Sequence, residues 1–128
     1  MEERIQPQDL EAEQSVLGAM MISKDAIALA AGKLKPDHFY RQAHAHVYRA
    51  ILSLYQKNEP IDLITVSDSL KKQDVLEKVG GHSFLAEIIN SVPTASNVDS
   101  YSNIVVEKFM LRRLIDISSD IIKESFDN

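Results

Sequence analysis

The sequence predicts an all-α fold in which a compact helical head is followed by a protruding antiparallel helical hairpin with a long last helix. Apolar residues recur at steps of three and four along almost the whole chain, which is the period of an amphipathic helix. Residues 63–66 form the only run typical of a strand, and the capping residue Asp62 before it argues against one. Neither glycine nor proline interrupts residues 98–128, so the last helix can be about 30 residues long.

Capping residues and a proline set the bounds of the first three predicted helices. Asp9 can cap the first helix, and Ser23 can begin a second that stops at Lys35-Pro36, because a residue before proline avoids the helical conformation. The third helix carries a single apolar stripe from Val47 to Tyr55. Together these helices offer core residues at Leu10, Ala12, Val16, Leu17, Met20, Ile27, Ala30, Leu34, Val47, Tyr48, Ile51 and Leu52.

The second half of the chain continues with three more predicted helices. Asp62 is placed to cap a fourth helix, with its carboxylate accepting from the backbone near residues 64–65. Gly80-Gly81 forms a turn, after which a fifth helix runs to Pro93. The sixth helix begins near Ser96-Asn97. We place the domain boundary at the glycine turn, with the head over residues 1–79 and the hairpin over residues 80–128.

The last helix is too long for a compact head. About 30 helical residues span about 45 Å, whereas the radius of gyration of a compact domain of this size is about 14 Å. Apolar residues cover about half of its circumference, and we place Arg112, Asp116, Asp120 and Lys123 on the opposite, solvent-facing side. Such an arc predicts a partner, for instance a second hairpin in an intermolecular four-helix bundle. The alternative is that the arc folds back over the head of the same chain.

Composition excludes several classes of protein. Cysteine is absent, which excludes disulfides and thiolate metal sites and fits a cytoplasmic protein. No apolar run approaches the length of about 18 residues needed to cross a bilayer, and the start Met1-Glu2-Glu3-Arg4 lacks the regions of a signal peptide, so we expect no membrane partner. The net charge of −5 disfavours tight DNA binding, and any binding of single-stranded DNA should be weak and salt-sensitive.

Motifs that carry catalysis are missing. The chain has no Walker phosphate loop, and the stretch that begins at Gly80-Gly81 lacks the lysine that such a loop requires. His44 and His46 lie about 200° apart on a helix, whereas zinc ligands on one helix are four residues apart. No carboxylate interrupts an apolar stripe, so no acid–base pair is nominated. The sequence predicts no catalytic residue, cofactor or metal in this chain.

Taken in order, several stretches resemble the N-terminal domain of the replicative hexameric DNA helicases of the DnaB family. They cover nearly all of residues 7–115 and are Pro7–Gly18, Asp37–Arg41 with His44, Pro60–Val66, Gly80-Gly81 ahead of Phe84-Leu85, Pro93–Ala95 with Asn97 and Tyr101, and Leu111–Ile115.

This resemblance implies a domain that forms oligomers and recruits a partner protein, and that carries out no catalysis. In that family paired hairpins form homodimers, three dimers form a collar on the hexamer, and the collar recruits primase; a helicase loader is a further candidate partner. The ATPase motor, which would use ATP and magnesium, lies C-terminal to this domain. Because the chain stops inside a helix, we expect it to be a fragment of a longer protein. Two alternatives are the helicase-binding domain of primase and a stand-alone helical protein-interaction module.

The candidate interface residues follow from the hairpin and from the family resemblance. They are Glu11, Phe84, Ile88, Met110, Leu114, Ile115, Ile117, Ile121 and Ile122.

Overall fold

The computed structural model describes residues 4–92 and 94–128, which form seven α-helices and one 3-10 turn without a β-strand. The predicted all-α fold and long last helix are confirmed. Met1, Glu2 and Glu3, and Pro93 at the predicted end of the fifth helix, lie outside the described residues. The helices are α1 Leu10–Ile22, α2 Lys24–Ala31, α3 Gln42–Gln56, α4 Leu63–Lys72, α5 Leu76–Val79, α6 Gly81–Asn90 and α7 Val98–Asp127, with the 3-10 turn at Pro36–His38.

Side chains cap three of these helices at the predicted positions. Asp9 accepts a hydrogen bond from the Ala12 amide at 2.9 Å, and Ser23 accepts one from the Ala26 amide at 3.3 Å. Asp62 accepts from the Thr65 amide at 2.9 Å. The Asp62 amide in turn donates to the Thr65 hydroxyl at 2.9 Å, so the two residues satisfy each other's backbone donors at the start of α4.

Helix α1 is the centre of the core and packs against α2, α3, α6 and α7. Every residue from Val16 to Met21 is buried. Gly18 allows a close approach to α6, since a Cβ atom there would lie 2.6 Å from the carbonyl oxygen of Ile88. The largest fully buried apolar side chains are Leu17, Met20, Ile27, Tyr48, Ile51, Leu70, Leu85 and Ile88.

A short helix and a glycine pair separate α4 from α6. Residues 76–79 form α5, a separate short helix that the sequence pattern does not distinguish from the end of the fourth predicted helix. Gly80 follows with a φ of 117° and Gly81 with a φ of 71°, a conformation that glycine adopts without the steric cost of a Cβ atom. The predicted turn at this pair is therefore present and separates α5 from α6.

Packing between helices continues beyond residue 79, where we predict the boundary of the head. Helix α6 packs against α1, α4 and α5, and α7 packs against α1, α2 and the 3-10 turn. Phe84 and Ile88, predicted as interface residues, are buried in the head core instead. The ring of Phe84 stacks on His44 of α3, and Ile88 lies where α6 approaches Gly18 of α1. The head therefore includes α6 and the first half of α7, and only the second half of α7 projects from it. None of the helices within the described ranges is long and apolar enough to cross a membrane.

Candidate partner-binding surface

Helix α7 has two halves with different surroundings. In the first half, from Val98 to Arg112, the side chains of Val98, Ser102 and Val105 are buried against the head. The ammonium group of Lys33, in the turn that follows α2, reinforces this contact, at 2.7 Å from Asp99 and 2.8 Å from the side-chain oxygen of Asn103. From residue 113 onward every residue is exposed. Those residues carry the helix about 22 Å beyond the head.

Large apolar side chains line one side of α7 from Met110 onward, through the projecting half. Eight of them are between 38% and 87% exposed, and they form two neighbouring rows that together cover about half of the circumference at 100° per residue. A monomeric protein rarely exposes a continuous apolar patch of this kind, and such patches mark contact sites. We call this surface the C-terminal stripe; its residues are Met110, Leu111, Leu114, Ile115, Ile117, Ile121, Ile122 and Phe126.

The C-terminal stripe faces away from the head. Val98, Val105 and Arg112 mark the side of α7 that packs on the head, and the same side continues as the charged residues Asp116 and Lys123 in the projecting half. At 100° per residue the stripe is centred on the opposite side of the helix. The alternative in which the stripe folds back over the head of its own chain is therefore not the arrangement seen here.

Arg112 lies where α7 leaves the head, and its environment differs from the prediction. Its position in the apolar pattern predicts the solvent-facing side, yet it is 8% exposed. Its guanidinium donates to the carbonyl oxygen of Pro7 at 2.7 Å and to that of His38 at 2.9 Å. The same group lies 5.3 Å from the ring centre of Tyr40 and 5.8 Å from that of Phe109. These contacts explain how a cation is tolerated there, because its charge is hydrogen-bonded and its flat face is stacked.

The structure also contradicts the expectation that no carboxylate interrupts an apolar stripe. Glu13 of α1 is 1% exposed and its Oε1 lies 2.9 Å from Nδ1 of His44 on α3. Its Oε2 accepts from the Tyr40 amide at 2.8 Å. Both side chains are sealed from solvent, so this pair holds α1 to α3 rather than acting on a substrate. The spacing of residues could have indicated this burial, since Glu13 lies three and four residues before buried Val16 and Leu17 and therefore shares their face of α1.

The other predicted site residues lie in two places. Met110, Leu114, Ile115, Ile117, Ile121 and Ile122 belong to the C-terminal stripe. Glu11 is exposed on α1 and lines a shallow cavity of about 190 Å³ with Tyr101 and Ile104 of the head-packed half of α7, apart from the stripe. Within residues 4–92 and 94–128 no three His, Cys, Asp or Glu side chains are grouped as a metal site would require.

Comparisons with known proteins agree on one family. The family model described as the DnaB-like helicase N terminal domain matches residues 5–107. The Bacillus subtilis protein "Replicative DNA helicase DnaC" is 47% identical over 126 residues, which are 98% of this chain and 28% of that protein. The chain therefore spans little more than a quarter of the length of this relative.

Solved structures show the same fold. The crystal structure of the N-terminal domain of DnaB helicase from Mycobacterium tuberculosis is 47% identical, with a TM-score of 0.93 over 95% of this chain and 88% of that one. A structure described as a DnaB-like replicative helicase and its interactions with primase is 26% identical, with a TM-score of 0.78 over 94% of this chain and 28% of that one.

Proposed function

The chain belongs to the family of DnaB-like helicase N-terminal domains, and on that basis we propose that it is the assembly and primase-recruiting domain of a replicative hexameric DNA helicase. Its relative in Bacillus subtilis is about three and a half times as long, so the ATPase motor is proposed to lie in a C-terminal part outside this chain. ATP and magnesium would bind there. In this proposal the domain contributes protein contacts and performs no chemistry itself.

The observation that carries the proposal is the C-terminal stripe. Burying an apolar side chain of this size stabilises an assembly by about 1.5–3 kcal/mol when burial is complete. Eight partly exposed side chains of this kind can offset the cost of association, which is about 4–15 kcal/mol. The stripe of a second copy supplies a matching surface, because a two-fold contact uses the same patch on both chains. We therefore propose a homodimer through α7, with three dimers in the hexamer.

Primase is the proposed external partner. Support comes from the structural relative whose description names its interactions with primase, which is 26% identical to this chain over nearly its whole length. Pairing of two α7 helices would leave both heads exposed at the base of the projecting region, so a recruited protein can contact heads and paired helices together. A helicase loader is a further proposed partner, resting on family membership alone.

A carboxylate placed in the C-terminal stripe tests the assembly. Ile121 is 58% exposed and lies in the projecting half, so Ile121→Asp should leave the head folded. An unpaired carboxylate in an apolar contact costs several kcal/mol, and we expect self-association to weaken at least about tenfold. Lys123→Asp is the matched control, because it places the same side chain two residues away on the charged side of α7.

The measurements are sedimentation equilibrium for self-association, circular dichroism for folding, and capture of purified primase from the same organism. Loss of self-association in Ile121→Asp but not in Lys123→Asp supports the proposal. A wild-type chain that stays monomeric at high concentration, or an Ile121→Asp variant that associates like wild type, would contradict assembly through this stripe. Unfolding of Ile121→Asp would instead place Ile121 in the intramolecular core.

A further inference from the structure

We propose that Arg112 is a positioning residue that fixes the direction in which the C-terminal stripe leaves the head. This inference deepens the proposed function, because a two-fold assembly through the stripe depends on where each α7 points. Arg112 is the last buried residue of α7, and every later residue is exposed. It is therefore the final anchor before the helix becomes free.

The hydrogen bonds of Arg112 join three separate parts of the chain at this point. Pro7 lies just before the cap of α1, and His38 is the last residue of the 3-10 turn. Both acceptors are main-chain carbonyl oxygens, so the bonds hold backbone rather than mobile side-chain ends. A guanidinium presents its donors in a rigid plane, which fixes the angle of the helix as well as its distance from the two segments.

Aromatic contacts around the guanidinium add a second constraint. The ring of Tyr40 lies beside it at 5.3 Å, and the ring of Phe109, one turn earlier on α7, packs against the ring of His38 with centroids 4.5 Å apart. The first half of α7 is held by apolar packing from Val98 to Val105. The Arg112 contacts lie two turns further along, next to the start of the projecting half. A small tilt of the helix at this point changes the direction of the C-terminal stripe.

The direction of α7 can be measured as a distance between two spin labels. The chain contains no cysteine, so Arg49→Cys on α3 and Glu124→Cys on α7 give two labelling sites and no others, both exposed. Once the Arg112 contacts are lost, Val105 is the last buried anchor, and Glu124 lies about 28 Å beyond it along the helix, so a tilt of about 10° moves its label by about 5 Å. Mixing labelled chains with excess unlabelled chains keeps one labelled copy in each assembly, and the distance then reports α7 within a single chain.

Arg112→Met removes every donor while keeping a long apolar stem, and Arg113→Met is the matched control at the neighbouring exposed position. In Arg112→Met we expect the distance distribution to shift or broaden by about 5 Å, the displacement given by the tilt above, and in Arg113→Met to match wild type. A purely structural role would lower the unfolding midpoint of Arg112→Met without changing the distribution. A folded Arg112→Met with the wild-type distribution would overturn the proposal.

Arg112→Lys decides the question if Arg112→Met does not fold. Lysine keeps the charge but lacks the planar guanidinium and its stacking face. We therefore expect the distance distribution of Arg112→Lys also to shift or broaden relative to wild type. A wild-type distribution in this variant overturns the proposal. The outcome is also separate from that of the assembly test. If the wild-type chain is monomeric, the proposed assembly fails, while an Arg112-dependent distance still assigns the positioning role.

Discussion

Alanine should have opposite effects at two glycines of the head. At Gly18 a Cβ atom would lie 2.6 Å from the carbonyl oxygen of Ile88 and 2.6 Å from a methyl carbon of Val92. The carbonyl belongs to the backbone of α6, so it can retreat only if α6 moves away from α1. At Gly32 the nearest atoms to a Cβ would be 3.5 Å away, and the φ of −73° suits any residue.

The expected magnitudes follow from these contacts. Overpacking a close helix contact costs about 1–3 kcal/mol, and the upper part of that range applies because backbone must move. The higher helix propensity of alanine offsets about 1 kcal/mol of this cost. We therefore expect Gly18→Ala to lower the free energy of unfolding by about 1–2 kcal/mol. Gly32→Ala should raise it by about 0.4–1 kcal/mol, because it restricts the unfolded chain without strain.

Urea unfolding followed by circular dichroism measures both variants on the same scale. The two midpoints should move to opposite sides of the wild-type midpoint, with unchanged slopes. If Gly18→Ala stabilises the protein as Gly32→Ala does, helices α1 and α6 are not in close contact at Gly18, and the packing described for the head is wrong there.

Three further predictions concern polar groups. Asp62→Ala should lower the free energy of unfolding by about 0.5–2 kcal/mol through loss of the α4 cap, and an unchanged urea midpoint would contradict this. Glu13→Ala should cost about 1–3 kcal/mol for each polar group left without a hydrogen-bond partner, which are the His44 ring nitrogen and the Tyr40 amide; a chain as stable as wild type would contradict the buried Glu13–His44 contact. Burial lowers the pKa of His38 from its usual 6.5, so its contribution to stability is full above pH 6.5 and is lost as the pH falls through the lowered pKa. His38→Gln should reduce this acid sensitivity in thermal melts at pH 7.5 and 5, and equal sensitivity in both proteins would contradict it.

Local patterns predicted the elements of the fold well. The caps at Asp9, Ser23 and Asp62 act on amides only three residues ahead, so the chemistry that forms them is visible within a single turn of sequence. The unbroken run after Val98 likewise predicted one long helix. Helix caps and helix lengths depend on residues that are close in the chain, so the local residue pattern is enough to predict them.

Contacts between distant parts of the chain were missed. Arg112 was placed in solvent because its neighbours on α7 are polar, whereas its acceptors lie 105 and 74 residues away in sequence. Phe84 and Ile88 are predicted in the hairpin because α6 precedes α7 directly, yet both side chains are buried in the head core. The apolar face of a predicted helix indicates that another element covers it, but it does not indicate which helix does so. Charged groups add a further difficulty, since burial depends on partners that no local pattern reveals.

The side of α7 that packs on the head and the C-terminal stripe lie on one uninterrupted helix. The angle between them about the helix axis is therefore set by the number of residues that separate them. Inserting or deleting one residue near Arg113 would rotate the entire C-terminal stripe by about 100° relative to the head. An insertion of seven residues would return it to within about 20° of its present facing. Changes of length in this part of the gene should therefore be tolerated only in steps close to whole turns, whereas substitutions that preserve the count also preserve the facing.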